Sequence, residues 1–221
     1  MSDRDPSPSS SASAASLSSS TGEGSLADDI QQVKGLTFTT IRKYIIEARG
    51  QKQWDAVMEK MPLRTHRLFE ELDDSQWYPE TEMRRLIHAI HDHVAKGDEQ
   101  EFVELFRGVA HAGISRFFRM ILTLASGQFV LRNIPTFWKR LRRGPARLES
   151  EQSPEGVVKI HYDDYRYCRD RIYRILSIAN CQAAAHSACG KYPRASIEVW
   201  DRHSMTLVFD FRKDGTILRL D

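Results

Sequence analysis

The hydrophobic periodicity of this chain changes near Pro154, and that change limits the possible folds more than any other sequence feature. Upstream of it, apolar residues recur every three to four positions, which is the spacing of an amphipathic helix. Asp98, followed by Glu101, indicates a helix N-terminus because a side-chain oxygen there can cap free N–H groups. The helical spacing of apolar residues is clearest over residues 81–96, where it predicts a helix with an inward face of Met83, Leu86, Ile87, Ile90 and Val94.

Downstream of Pro154, apolar and polar residues alternate with the period of two that is typical of β-strands. This pattern predicts strands around residues 157–162, 197–200 and 205–211, with a long helix over about 165–188 after the first strand. Asp214-Gly215 indicates a tight turn, after which residues 216–220 can return as a fourth strand. Helices followed by a β-α-β-β-β segment predict an α+β fold, in which an antiparallel sheet is backed by helices.

The first 28 residues differ in kind from the rest of the chain. Residues 1–25 contain eleven serines and a single large aliphatic residue, Leu17. Such a segment buries too little apolar surface to offset its ordering entropy, so residues 1–28 are predicted to be a disordered tail. Residues 29–221 are predicted to form one ligand-binding-like α+β domain, with a helical part over about 33–144 and a sheet part over about 155–221.

Composition and charge exclude several classes of function. The net charge of +2 creates no bulk attraction to nucleic acid. No apolar run is long enough to suggest a secretory signal or a membrane span. Three cysteines without a CxxC pair indicate free thiols in a reducing compartment. We therefore expect a cytoplasmic protein without a membrane span.

One stretch, residues 127–148, has a strong charge asymmetry, because it carries six basic residues and no acidic one. A membrane surface, an acidic partner or nucleic acid could use this basic surface. A solvated helix end explains it equally, because cations stabilise the C-terminal end of the helix dipole. Residues 67–104 are acidic, so self-association between opposite faces is a further option. The six basic residues are Arg132, Lys139, Arg140, Arg142, Arg143 and Arg147.

Signals of catalysis and of metal binding are weak. His88 and His91 are spaced to share a metal on one helix face, but no third ligand lies near them in sequence. Asp163-Asp164 is interpreted as a helix N-cap before Tyr165 rather than as a catalytic pair. Neither a G-x-S-x-G elbow nor a phosphate-binding glycine loop is present. The sequence predicts neither a metal site nor a conventional enzyme.

The stretch IHYDDYR at residues 160–166 resembles the Tyr-x-Ser-x-Arg motif of haem nitric-oxide/oxygen-binding domains. Tyr162 and Arg166 match that motif, while Asp164 takes the place of its serine. The opening VKGL at residues 33–36, followed by a helix and Trp54, is similar to the same superfamily. Domains of the 4-vinyl-reductase type share its core. The whole chain resembles still more closely a set of uncharacterised myxobacterial single-domain proteins, and the resemblance covers about residues 33–212.

The resemblance implies a ligand-binding site formed in part by Tyr162, Tyr165 and Arg166. In the haem domains, a histidine upstream of a proline stretch ligates the iron. The corresponding position here is near Arg132, and no histidine lies between His111 and His161. We therefore expect a non-enzymatic small-molecule-binding or sensory domain that acts in regulation with no haem or other cofactor.

Three alternatives stay open at this stage. The ligand is expected to be a small apolar or amphipathic molecule, and an open cavity would favour that function. A protein-interaction module with a filled pocket is the first alternative, and an enzyme acting on a hydrophobic carboxylate is the second. The third concerns Arg166, which either binds an anionic group of a ligand or forms a structural pair with Asp163 or Asp164.

Overall fold

The computed structural model describes residues 31–114 and 125–220, and these form eight helices and two antiparallel sheets. The serine-rich segment, and the end of the helical region predicted to reach Ala125, lie largely outside the described residues. The helices are α1 (Gly35–Arg49), α2 (Gln51–Met58), α3 (Leu63–Glu70), α4 (Glu80–His93), α5 (Glu99–Gly113), α6 (Gly127–Arg132), α7 (Ile134–Leu141) and α8 (Arg171–Cys189).

The strands form a small sheet in the helical half and a larger sheet in the C-terminal half. The small sheet has the order β2-β1-β3, and the larger sheet has the order β4-β5-β7-β6. This arrangement confirms the predicted α+β class with an antiparallel sheet backed by helices. The strands are β1 (Gln32–Lys34), β2 (Trp77–Pro79), β3 (Arg142–Arg143), β4 (Arg147–Gln152), β5 (Val157–Asp163), β6 (Pro193–Trp200) and β7 (Met205–Asp214).

The periodic segments bury the faces that the sequence predicts. All five residues of the predicted inward face around α4 are buried, as are Val158, Ile160 and Tyr162 on β5. The side chain of Asp98 accepts a hydrogen bond from the backbone N–H of Glu101, so the predicted N-cap of α5 is confirmed. Local periodicity succeeds here because one face of each element lies against a continuous core.

The predicted fourth strand over residues 216–220 is wrong, and β4 takes its place in the sheet. β7 is paired with β5 on one side and with β6 on the other, so β7 itself has no free edge for a strand that returns directly after it. β4 instead pairs with β5, placing Leu148 opposite Tyr162. Leu148 is the single buried residue of β4. An edge strand of this kind has almost no period-two signal, and the sheet therefore begins earlier than predicted.

The long helix begins later than predicted, because its N-cap is Asp170. The Asp170 carboxylate accepts hydrogen bonds from the backbone N–H groups of Ile172 and Tyr173, at 3.1 and 3.4 Å. The predicted cap at Asp163-Asp164 is therefore wrong. Asp164 has a φ of 54°, in the left-handed region, where the chain turns away from β5. From Arg171 onward, α8 packs against α4, α5, α6 and β6.

The small sheet joins the start of the described chain to the segment after α7. Val33 of β1 lies opposite Tyr78 of β2 on one side and opposite Arg142 of β3 on the other. Gly35 then turns the chain into α1, and a Cβ at this position would lie 2.0 Å from the carbonyl oxygen of Asp73. Only glycine allows so close an approach. This corner brings Lys34 and Arg142 to the same end of the molecule.

Candidate ligand-binding cavity between the helical half and α8

A cavity of about 540 Å³ lies between the helical half and α8. Its walls come from β1, α1, α5, α6, α7, β3, β5 and α8, so residues far apart in sequence meet around it. The volume is within the range of small-molecule sites, and apolar side chains make up most of the lining. The apolar lining includes Leu36, Val109, Ile114, Val130, Ile134, Phe137, Trp138, Leu141, Leu176 and Ala184.

An ion pair anchors one end of this cavity. The Glu80 side chain is fully buried, and the Arg142 side chain is 10% exposed. The Nε of Arg142 donates to the Oε1 of Glu80 at 3.0 Å, and the hydroxyl of Tyr165 donates to the same oxygen at 2.8 Å. The guanidinium of Arg142 also lies 4.4 Å from the centre of the Trp138 ring. Arg142 is thus a cation held at a defined position in the cavity wall.

The electrostatics of this pair keep Arg142 charged. Burial alone would lower the pKa of the guanidinium, but the Glu80 carboxylate outweighs it and raises that pKa above its usual value. Its Nε is occupied by Glu80, and no described residue forms a hydrogen bond with its two terminal nitrogens. Arg142 lines the cavity, so these N–H groups are available to a ligand.

Three tyrosines supply neutral polar groups to the same cavity. Burial raises the pKa of Tyr162, Tyr165 and Tyr173 well above the usual value, so each keeps its hydroxyl proton at neutral pH. The Tyr173 hydroxyl is buried without a hydrogen-bond partner among the described residues, and so is the Thr37 hydroxyl. Buried polar atoms normally have a partner, so these two mark places where a bound molecule could supply one.

Two further cations line the cavity. Lys34 and Arg140 belong to its lining, and neither forms an ion pair with a described residue. The amine of Lys34 lies 4.9 Å from the centre of the Trp77 ring, which leaves its charge without a carboxylate. The described lining contains no Asp or Glu. Glu80 contacts Arg142 but is not itself part of that lining.

The structure brings two of the three predicted ligand-binding residues together and places the third elsewhere. Tyr162 and Tyr165 are buried, line the cavity and lie 5.9 Å apart between ring centres. Arg166 lines a separate, more open depression, and its guanidinium lies 5.7 Å from the Tyr167 ring. The Asp164 carboxylate forms an ion pair with Arg147, with 3.7 Å between the nitrogen and the oxygen.

The basic stretch is exposed at five of its six predicted positions. Arg132, Lys139, Arg140, Arg143 and Arg147 are exposed, as expected for a basic surface. Arg142 departs from this expectation, because its side chain turns inward to Glu80. A fully buried carboxylate requires a cation beside it, and that requirement decides the orientation of Arg142.

Sequence reasoning missed Glu80 and Lys34 and assigned Arg142 to the surface. Glu80 is in the first turn of α4, where an acidic residue is ordinarily explained by the helix dipole. Lys34 is one basic residue among many. The one local signal was the run of basic residues around Arg142, and this run does not indicate which of the side chains points inward.

The described lining does not fit a haem iron. Proteins hold that iron through histidine, cysteine thiolate, methionine or tyrosinate, and the described lining contains neither histidine nor methionine. Burial raises the pKa of the Cys181 thiol to about 12, so forming the thiolate that iron requires is unfavourable at this position. Burial also raises the pKa of the three tyrosines in the lining, which disfavours tyrosinate in the same way.

The described residues also contain no group of three side chains suited to a metal ion. His88, which the sequence placed near His91 on one helix face, instead has its Nε2 2.7 Å from the Oδ2 of Asp170. Among the residues that the structure describes, no helix is long and apolar enough to cross a membrane.

The fold itself is one that solved structures share. The S. oneidensis H-NOX protein in its Fe(II)NO state matches with a TM-score of 0.58 and 14% sequence identity, covering 79% of this chain and 97% of that one. The K. algicida H-NOX protein, Fe(II) and unliganded, matches with a TM-score of 0.56 and 11% identity, covering 80% and 95%. A T. tengcongensis H-NOX variant matches with a TM-score of 0.55 and 14% identity, covering 82% and 98%.

The chain therefore has an H-NOX-like α+β fold, which confirms that part of the predicted resemblance. No family model and no curated protein sequence matches the chain. At identities this low the similarity establishes the fold alone, because a single fold hosts many functions. The similarity to 4-vinyl-reductase-type and myxobacterial proteins stays a prediction.

Proposed function

We propose that this chain is a non-enzymatic, haem-free domain that binds a small apolar or amphipathic molecule and acts in sensing or regulation. The observation that carries the proposal is the cavity of about 540 Å³, with an apolar lining, in a fold of the H-NOX type. Burying apolar ligand surface there is favourable by about 25 cal/mol per Å². In a protein-interaction module with a filled pocket, side chains would occupy this space.

The chemistry of the lining supports binding rather than catalysis. The tyrosine hydroxyls and the Cys181 thiol that face the cavity stay protonated at neutral pH, so none of them is an activated nucleophile or general base. The described lining offers haem iron neither histidine nor methionine, and burial disfavours the thiolate and tyrosinate forms of its cysteine and tyrosines. An organic ligand held by apolar contacts and a few hydrogen bonds fits this lining better.

Helix α7 offers a route from ligand binding to a change at the surface. None of its residues is fully buried, although its apolar residues Ile134, Phe137 and Trp138 line the cavity. A ligand would cover these side chains and stabilise the helix. Since α7 also carries the exposed residues Lys139 and Arg140, occupancy of the cavity would be coupled to the order of part of the basic surface.

Native mass spectrometry of the purified full chain is the first test, with thermal unfolding after the captured compound is extracted and added back. We expect a small organic molecule that raises the melting temperature. The variant Ala184→Phe should abolish this rise, because Ala184 lines the cavity. A rise of equal size in Ala184→Phe would place binding outside the cavity and contradict the proposal.

Titration with haemin, alongside iron-free protoporphyrin, tests the haem-free part of the proposal. We expect neither a sharp stoichiometric Soret band nor a preference for the iron-containing form. A saturable band that a single histidine, cysteine or tyrosine substitution abolishes would show specific haem binding and overturn this part.

A further inference from the structure

We infer that the cavity takes an amphipathic carboxylate, with its anionic head group beside Lys34, Arg140 and Arg142 and its apolar part against α5 and α8. This inference rests on the proposed function and narrows it to one chemical class of ligand. The observation behind it is the charge of the lining, which carries three cations and no described acidic side chain.

The three cations contribute unequally to the charge balance. Arg142 is already neutralised by Glu80, whereas Lys34 and Arg140 have no carboxylate partner among the described residues. A neutral ligand would leave Lys34 and Arg140 without a carboxylate beside them. One carboxylate on the ligand would supply that partner and would accept hydrogen bonds from the free terminal N–H groups of Arg142.

These cations lie at one end of the cavity because of the small sheet. Val33 is opposite Arg142 in the β1–β3 pair, so Lys34 is the next residue along from that contact. Arg140 is in the last turn of α7, two positions before Arg142. The head group is therefore placed at the corner formed by β1, β3 and the end of α7.

Exposure indicates which end of the cavity opens to solvent. Arg140 is exposed and Leu36 is 43% exposed, whereas Leu176 and Cys181 on α8 are buried. A charged head group placed at the cationic end keeps part of its hydration, and only the apolar part of the ligand is transferred to the interior. Burying the charge at the α8 end instead would incur a large desolvation cost.

Isothermal titration of the full chain with decanoate and with 1-decanol tests the inference, because these probes share a chain and differ in the charge of the head group. We expect decanoate to bind about tenfold more tightly, which corresponds to about 1.4 kcal/mol. In Lys34→Met/Arg140→Met, the affinity for decanoate should fall about tenfold while that for 1-decanol changes less than about twofold.

The variant Lys139→Met/Arg143→Met is the matched control. It removes the same charge from the same helix and sheet, and Arg143 lies 4.8 Å from the Trp77 ring much as Lys34 does, but neither residue lines the cavity. It should bind both probes within about twofold of the unaltered chain. An equal loss of decanoate affinity in the control would reveal a diffuse charge effect and overturn the inference.

Two other outcomes separate this inference from the proposed function. Equal affinity for decanoate and 1-decanol, with both abolished in Ala184→Phe, would retain the ligand-binding cavity and refute its preference for anions. If the unaltered chain binds neither decanoate nor 1-decanol, the result contradicts both this inference and the proposed function. Circular dichroism of each variant confirms that the fold is intact, and decanoate affinity in the unaltered chain should fall with added salt.

Discussion

At the scale of single residues, the Glu80–Arg142 pair gives the sharpest prediction about stability. Replacing either partner alone by methionine leaves a charge uncompensated in a buried position, so Glu80→Met and Arg142→Met should each lower the free energy of unfolding by about 3–5 kcal/mol. The double variant should lose less than either single variant, because no unpaired charge remains. Urea denaturation measures all three, and simple additivity would show that the two side chains are not coupled.

Asp170 gives a second residue-scale prediction, which concerns pH. Burial alone would raise the pKa of its carboxyl, but hydrogen bonds from His88 and Arg84 outweigh it and lower the pKa to about 2 from an ordinary value of 3.8. A depressed folded-state pKa contributes stability that is present above about pH 4 and is lost as the pH falls through about 2.

The test is Asp170→Asn, which keeps an N-cap acceptor for α8 but removes the charge. We expect the free energy of unfolding to fall by about 2 kcal/mol at pH 7, and the difference from the unaltered chain to shrink toward pH 2. A difference that stays constant between pH 5 and pH 2 would show that the charge of Asp170 does not stabilise the fold.

At the scale of elements, the segment after β7 is held by a buried arginine rather than by strand pairing. The guanidinium of Arg107 on α5 donates to the backbone carbonyls of Gly215 and Thr216, at 2.5 and 2.7 Å, and to Gln182 of α8 at 2.6 Å. One side chain therefore joins α5, α8 and the C-terminal segment. These bonds depend on the planar fork of donors that arginine has and lysine lacks.

Arg107→Lys should accordingly lower the free energy of unfolding by about 2–4 kcal/mol, although the charge is kept. Hydrogen exchange should also increase at the Leu218 amide, which donates to Gln100 of α5. The matched control is Arg49→Lys, whose exposed ion pair with Glu101 should contribute less than about 1 kcal/mol. Equal effects of the two substitutions would contradict this account of Arg107.

At the scale of the whole molecule, neighbouring alanines of α8 distinguish empty space from packed core. Ala184 lines the cavity, and Ala185 is fully buried in the core. Ala184→Phe should therefore change the free energy of unfolding by less than about 1 kcal/mol, while Ala185→Phe overpacks the core and costs about 1–3 kcal/mol or more. Thermal or urea unfolding measures both. A large loss in Ala184→Phe would mean that the space beside α8 cannot accept a ring.

The sequence by itself determined the elements whose signal is local and repeated. Apolar residues of α4 recur with the helical period, and those of β5 and β7 alternate, so their inward faces and the α+β class were predictable. The Asp98 cap was predictable for the same reason, because its partner is three residues away. Tyr162 and Tyr165, expected at a binding site from the resemblance alone, do line the cavity.

Only the tertiary structure decided the features that depend on contacts between distant segments. Glu80 meets Arg142 across 62 positions of sequence, and nothing near either residue indicates that one will be buried or the other turned inward. The sequence predicted a fourth strand over residues 216–220 and none over β4, because strand pairing depends on which sheet edge is free. Ion pairs, sheet edges and cavities arise where separate elements meet, so the periodicity of a single element does not predict them.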